Sequence, residues 1–281
     1  MSRRRFLSSV LFSLALLAAL ITVLTVLGLV FTVLIRGRED LTLELLKGTP
    51  SFLKGTGGIL PNILNTVYLV VITLSIALPL GVGTAIYLNE YRKSGVVVRI
   101  IKFSVDILAG VPSIIYGLIG LLVFVTALNL GTSIISGALT MVFVVLPSII
   151  RTSIEALKSV PNSYRDGAFA LGAGRWHTTR TVVMPTALSG VLAGAILSVG
   201  RIIGESAALL FTAGVANKML GLTDILAPNN SGSTLTVALY IYAKERGDFD
   251  TSFAIALVLV LLTLVLNLTA RLLFKVGRVK I

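Results

Sequence analysis

The chain has 281 residues, 56% of them hydrophobic and only 13% charged, with a mean hydropathy of +0.98. This excludes an ordinary soluble globular domain and implies a polytopic membrane protein whose first partner is the lipid bilayer. The formal charge of +12 comes without an aromatic and basic platform, so no nucleic-acid partner is expected, and the absence of cysteine excludes disulfides, thiolate metal sites and cysteine nucleophiles.

Six apolar stretches are long enough to be read as membrane helices, at about 7–35, 66–88, 107–128, 133–150, 188–212 and 253–274. The first follows Arg3, Arg4 and Arg5, exceeds the h-region of a signal peptide and lacks an Ala-x-Ala site, so it is expected to be a retained anchor. Residues 37–65 are polar and read as an external excursion with a short surface helix at 41–47 and a turn at Pro50. Residues 1–65 are thus expected to form an anchor helix with its external loop, and 66–281 the core transmembrane unit.

The second stretch contains Pro79 and is followed by Arg92, Lys93, Arg99 and Lys102. Asp106 then stands where it would cap the third stretch, whose first half, Ala109-Gly110-Val111-Pro112-Ser113 with Tyr116, Gly117 and Gly120, is small and spotted with polar groups. A tight, uncharged connection at 129–132 leads to a short fourth stretch containing Pro147. Proline removes a backbone donor and kinks or ends a helix, which membranes tolerate where protein or a water-filled cavity covers the freed carbonyl.

Residues 151–187 form the longest connection and carry Arg151, Lys158, Arg165, Arg175 and Arg180. Ser163, followed three residues later by Asp166, is close to a capping box. Gly167, Ala168, Phe169, Ala170 and Leu171 form a small apolar surface, and Gly172 and Gly174 allow a sharp turn. A second helical segment at 175–184 places Trp176 at headgroup depth and leads to Pro185. Two short helices under the membrane would make a knob suited to docking into a cytoplasmic partner. His177, the single histidine, has no nearby carboxylates and reads as a surface residue.

The fifth stretch has Gly190 and Gly194, then Gly200 and Gly204, at the spacing that allows close helix approach. It also holds Arg201 and Glu205. At i and i+4 they share a helical face and can meet, although acid before base would be the better order. Charges at membrane depth mark either a packed ion pair or a conduction path. In the path reading, Arg201 offers bidentate hydrogen bonds to a tetrahedral oxyanion while Glu205 orients the guanidinium in the empty state. Residues 217–233 read as external, either a surface loop or a contact for a soluble binding protein, and Glu245, Asp248 and Asp250 either repel free anion or solvate the entrance to the sixth stretch. Arg271, Lys275, Arg278 and Lys280 close the chain. With six spans, the strongest basic sets fall on one side, so both termini are expected in the cytoplasm. No catalytic triad, paired carboxylates, metal-ligand cluster or Walker sequence is present, so the chain is expected to be non-catalytic and to take its energy from a partner.

The run Asp166-Gly167-Ala168-Phe169-Ala170-Leu171-Gly172, nine residues, then Val182-Val183-Met184-Pro185 resembles the coupling motif of binding-protein-dependent ATP-binding-cassette permeases. The family pattern is Glu-Ala-Ala, three residues, Gly, nine residues, then Ile, any residue, Leu-Pro; the spacing is intact and the departures keep size or charge class. Two further strings, Ala109 to Gly117 and Gly200-Arg201-Ile202-Ile203-Gly204-Glu205-Ser206-Ala207-Ala208-Leu209, resemble the phosphate importer permeases, and the short N-terminal arrangement is similar to their A-type subunit. The resemblance implies an all-α, six-helix type I importer permease with cytoplasmic coupling helices between spans four and five. It assigns ATPase coupling to Ser163, Tyr164, Arg165, Asp166, Gly167, Ala168, Gly172 and Arg175 within 151–187, and the translocation path to Arg201 and Glu205. It implies a bacterial or archaeal inner membrane, a homologous second permease subunit, two cytoplasmic ATPase subunits that use ATP and magnesium, and an external phosphate-binding protein. This chain itself would bind no cofactor. A secondary anion transporter is the rival, lacking a visible repeat or proton relay, and sulfate is an alternative oxyanion.

Overall fold

A computed structural model of the chain describes residues 2–49, 58–92, 94–221 and 223–278. The expected turn at Pro50, together with Lys54, Lys93 and Lys280 of the charge pattern, lies outside them. Among the described residues there are helices and no strands. Five helices are long and apolar enough to cross a bilayer, and a bent pair makes a sixth span if its two helices are counted as one.

Helix α1 runs Ser2–Glu39, and its Thr22, Thr25 and Thr32 hydroxyls donate to carbonyls one turn back, so the polar groups cost little in lipid. It meets the core through the last membrane helix, where Arg36 sits 5.3 Å from the centre of the Phe253 ring. A five-residue helix, α2 (Leu43–Lys47), is capped by the Thr42 hydroxyl, as the sequence suggests. Helix α3 (Leu60–Ile86) starts on Pro61, carries Pro79 inside and ends in a π-helical turn at Tyr87–Tyr91.

The third span differs from the expected single helix. Helix α4 (Val96–Gly110) and helix α5 (Ser113–Gly120), which continues as a π-helical segment to Ala127, are bent by 106° at Val111 and Pro112. Proline disfavours the helical conformation at the residue before it, and here Val111 is extended and the chain turns. The Tyr116 hydroxyl reaches back to the Leu108 carbonyl at 2.6 Å and pins the elbow. Asp106 therefore caps nothing; it lies inside α4 and pairs with Arg151 at 2.6 Å in an exposed position.

Helix α6 (Ile134–Lys158) begins on the Ser133 cap and is longer than the short fourth stretch, because its hydrophilic tail from Arg151 stays helical beyond the apolar run. Helix α7 (Asn162–Ala170) follows Pro161. Helix α8 (Arg175–Thr178) passes through a π-helical turn at Thr179–Val183 directly into helix α9 (Met184–Gly204). The second half of the knob is thus not a separate short helix but the foot of span five, in one 30-residue rod from Arg175 to Gly204. Helix α10 (Ala207–Thr212) completes the broken span, helix α11 (Leu235–Tyr240) turns back inside, and helix α12 (Phe249–Arg278) starts at Asp248, whose carboxylate accepts from the Thr251 amide.

The core lies between α3, α6, α9 and α10, around Leu69, Met141, Val145, Ile149, Ile202, Ile203 and Leu209. Gly190 and Gly194 meet Ala156 and Thr152 of α6, so the first small-residue pair serves close helix approach. Gly117 lies against Ala208 in the same way, and this contact brings the two strings noted in the sequence together.

Candidate functional site

The fifth span breaks where its charges lie. Helix α9 ends at Gly204, and Glu205 is extended, with φ −80° and ψ 126°. The i, i+4 geometry expected for Arg201 and Glu205 is therefore not formed, and among the described residues no ion pair joins them. The Glu205 carboxylate instead accepts from the Ala208 amide at 3.2 Å and covers the start of α10. Its backbone carbonyl accepts from the Thr236 hydroxyl at 2.8 Å, which ties the break to α11.

Arg201 occupies the last turn of α9, where the helix field favours a cation. Its side chain is exposed on the outer face of the chain, in line with Leu197, which is 64% exposed. Gly200 and Gly204 have open space where a side chain would stand, unlike Gly190 and Gly194. Tyr116 of α5 lies within the electrostatic reach of the guanidinium. The result is a cation at membrane depth, on an outward face, beside a broken helix and a thin backbone. Such a group needs either a water-lined passage or a second protein surface.

A polar layer that the sequence does not reveal supports this break from outside. Asn62 donates to the Asn217 side chain at 2.8 Å and to the Ser233 carbonyl at 3.2 Å; Asn65 donates to the same carbonyl, and Thr66 accepts from the Leu235 amide at 2.9 Å. Residues 232–238 are buried, so the segment after the expected external loop at 217–233 dives back into the protein. The signal available in the sequence is Ser233-Thr234 before an apolar run, a helix start inside a supposed loop.

The knob is held by Arg165. Its Nε and Nη2 donate to the two carboxylate oxygens of Glu90 at 3.0 and 2.7 Å, while Nη1 and Nη2 donate to the carbonyls of Val160 and Leu157 at 2.8 and 2.9 Å. Both side chains are almost buried, at 12% and 9% exposure. The hydrogen bonds to Glu90 raise the Arg165 pKa above its usual value, against burial, and the charges of Glu90 and Asp166 add to the effect. Arg165 thus faces inward and fastens α7 to the ends of α3 and α6. Glu90 carries no motif and is legible only in the fold.

Ser163, Tyr164, Asp166 and Gly167 are exposed, Ala168 is half-buried and Arg175 is exposed at the foot of α8. The α7 N-cap is Pro161 without a side-chain bond, so the capping role expected for Ser163 is not formed; it lies inside the first turn. Gly172 ends the helix as expected, with φ +83° and amide bonds from Gly172 to Phe169 and from Ala173 to Ala168. Around it stand Tyr164, Phe169, Leu171 and Trp176, with Leu171 90% exposed.

The sequence profile of the family described as binding-protein-dependent transport system inner membrane component matches residues 77–276. A probable ABC transporter permease protein, YqgI of Bacillus subtilis, is 38% identical over 207 residues, which cover 74% of this chain and 70% of that one. The phosphate transport system permease protein PstA of Pasteurella multocida is 29% identical over 277 residues, covering 96% of this chain and 95% of its own. Among solved structures, a bacterial ABC transporter involved in the import of the acidic polysaccharide alginate superposes with a TM-score of 0.61 at 15% identity, over 92% of this chain and 95% of that one, a likeness of fold alone.

Proposed function

The chain belongs to the inner membrane components of binding-protein-dependent transport systems, and from that premise we propose that it is the A-type permease subunit of an ATP-driven inorganic phosphate importer. The reading joins its membership, its likeness to phosphate permeases and the chemistry of the broken span. One observation carries it: Arg201 stands exposed at membrane depth, with no carboxylate paired to it among the described residues, beside open backbone at Gly200 and Gly204. A guanidinium so placed can receive a tetrahedral oxyanion through paired hydrogen bonds and release it again, since no covalent step is needed.

In this proposal the outward face of α9 and the exposed side of α5 meet a homologous second permease subunit, and phosphate crosses between them. Glu205 acts on the path by holding the break between α9 and α10 rather than by neutralising Arg201. Two cytoplasmic ATPase subunits, which bind ATP and magnesium that this chain does not, dock on the knob within 151–187. Ser163, Tyr164, Asp166, Gly167 and Ala168 offer the contact surface, and Gly172 sets its shape. Arg165 works from inside, and Arg175 from the exposed foot of α8. The rod from Arg175 to Gly204 is about 45 Å long at helical rise, so a tilt of the knob reaches Arg201 without passing through a flexible joint. An external phosphate-binding protein delivers substrate on the opposite side, both termini lie in the cytoplasm, and the membrane is the inner membrane of a bacterium or archaeon. The anchor and external loop end before α3, whose first residue is Leu60, and the working core runs from there.

Reconstitution with the second permease, the ATPase and the binding protein tests the proposal. Phosphate uptake that requires ATP and resists excess sulfate is expected. Uptake by this chain alone without ATP, or full competition by sulfate, would overturn it.

A further inference from the structure

On the cytoplasmic side a cavity of about 500 Å³ opens between α4, the tail of α6 and the knob, and its charged lining is Glu90, Lys102, Lys158, Arg165 and Arg175. Glu90 is already engaged by two N–H groups of Arg165. Lys102, Lys158 and Arg175 come from three different helices, and among the described residues none of them forms an ion pair. A smaller hollow of about 300 Å³ shares Lys102 and Lys158; its carboxylates are Asp106, paired with Arg151, and Glu155. Three cations thus converge on one concavity whose only carboxylate is spoken for.

The position of α4 narrows what such a cavity takes. Its Val96, Ile100, Phe103 and Ile107 are exposed along one face, while Val98 and Val105 are buried against Leu88 and Ile150. Bent by 106° from α5, it carries this exposed apolar face beside exposed Arg99 and Lys102, the pattern of an amphipathic helix suited to a headgroup layer. Lys102 of that helix lines the cavity, so a helix suited to the headgroup layer forms one of its walls.

We propose that this cavity is a phosphoryl-group site, in which Lys102, Lys158 and Arg175 hold either the headgroup of an anionic phospholipid or a free phosphate ion through charge-assisted hydrogen bonds. An occupant links α4 to the foot of the α8–α9 rod and so bears on the knob that Arg165 fastens. The site stands apart from Arg201 and does not depend on which substrate the path carries.

The test uses the full chain within its transporter, in nanodiscs. In one arm the discs contain phosphatidylcholine with or without phosphatidylglycerol, and retained phosphatidylglycerol is counted by native mass spectrometry after extraction. In the other, phosphatidylcholine discs are titrated with labelled inorganic phosphate, with ATP and binding protein left out and R201A as background. Saturable retention in the first arm assigns the lipid, and saturable binding in the second assigns the free ion. K102Q/K158Q should weaken whichever is found by about 25-fold, roughly fivefold per charge at an anionic surface. R175Q alone should weaken it about fivefold. R180Q, an exposed arginine of the same side outside the cavity, should leave it unchanged. Equal loss in R180Q, no loss in K102Q/K158Q and R175Q, or no saturable binding in either arm would overturn the proposal.

Discussion

Replacing Arg165 with methionine keeps the length of the side-chain stem and removes four hydrogen bonds, two to Glu90 and one each to the Leu157 and Val160 carbonyls. Because the pair is nearly buried, removal of one partner strands charge and carbonyls in a poorly solvated place, at a cost of about 3 kcal/mol. The loss should be local, since α7 meets the remainder of the chain through few contacts, the α8 foot among them. Hydrogen exchange of the α7 amides measures it directly: opening easier by about 3 kcal/mol raises exchange roughly 100-fold, while the α3 and α6 cores stay protected. Glu90→Gln should act on the same bonds, so the two substitutions combined should fall short of additivity by about 2 kcal/mol. ATP hydrolysed per phosphate imported should also rise, because a loose knob no longer drives the rod. If α7 exchange in Arg165→Met stays within threefold of the parent chain, or the two substitutions simply add, the fastening role is refuted.

Glu205→Ala removes the acceptor at the start of α10 and should cost about 1 kcal/mol, whereas Glu205→Gln keeps an acceptor oxygen and should retain most uptake; thermal unfolding and transport assays separate the two. Gly194→Val would push against the Thr152 side chain of α6 and should lower stability by about 2 kcal/mol, read as reduced folded yield in detergent. Gly172→Ala forces a β-carbon into a left-handed turn at about 1 kcal/mol. Its expected readout is faster exchange at the end of α7 with membrane insertion unchanged.

The existence of the spans was legible because membrane helices leave long apolar runs; their interruptions were harder to read. The bend at Pro112 was marked by its proline and by the small residues around it, but its size follows from α5 packing on α10, a contact between segments far apart in sequence. The break at Glu205 was hidden because Gly204-Glu205-Ser206 lies within a stretch that reads as continuous helix, and only the folded chain shows the carboxylate turning to the Ala208 amide. The helical tail of α6 was missed for the opposite reason, since polar residues after an apolar run signal the end of a span and not the end of a helix. Of the site residues, Arg201, Gly172 and the exposed knob announced themselves by composition and spacing. The inward direction of Arg165 is not legible from its motif, and Glu90 and Thr236 have no local signal, because each matters through a partner more than 30 residues away.

The central claim is that Arg201 lines the path of the transported anion. It is tested most directly by ATP-dependent phosphate uptake into proteoliposomes holding the assembled transporter with Arg201→Ala, beside Arg201→Lys and the parent chain. Assembly and basal ATP hydrolysis should survive in both variants, uptake should be lost in Arg201→Ala, and only part of it should return with lysine, which keeps the charge but not the paired hydrogen bonds. Phosphate uptake at the parent rate in a fully assembled Arg201→Ala transporter would contradict it.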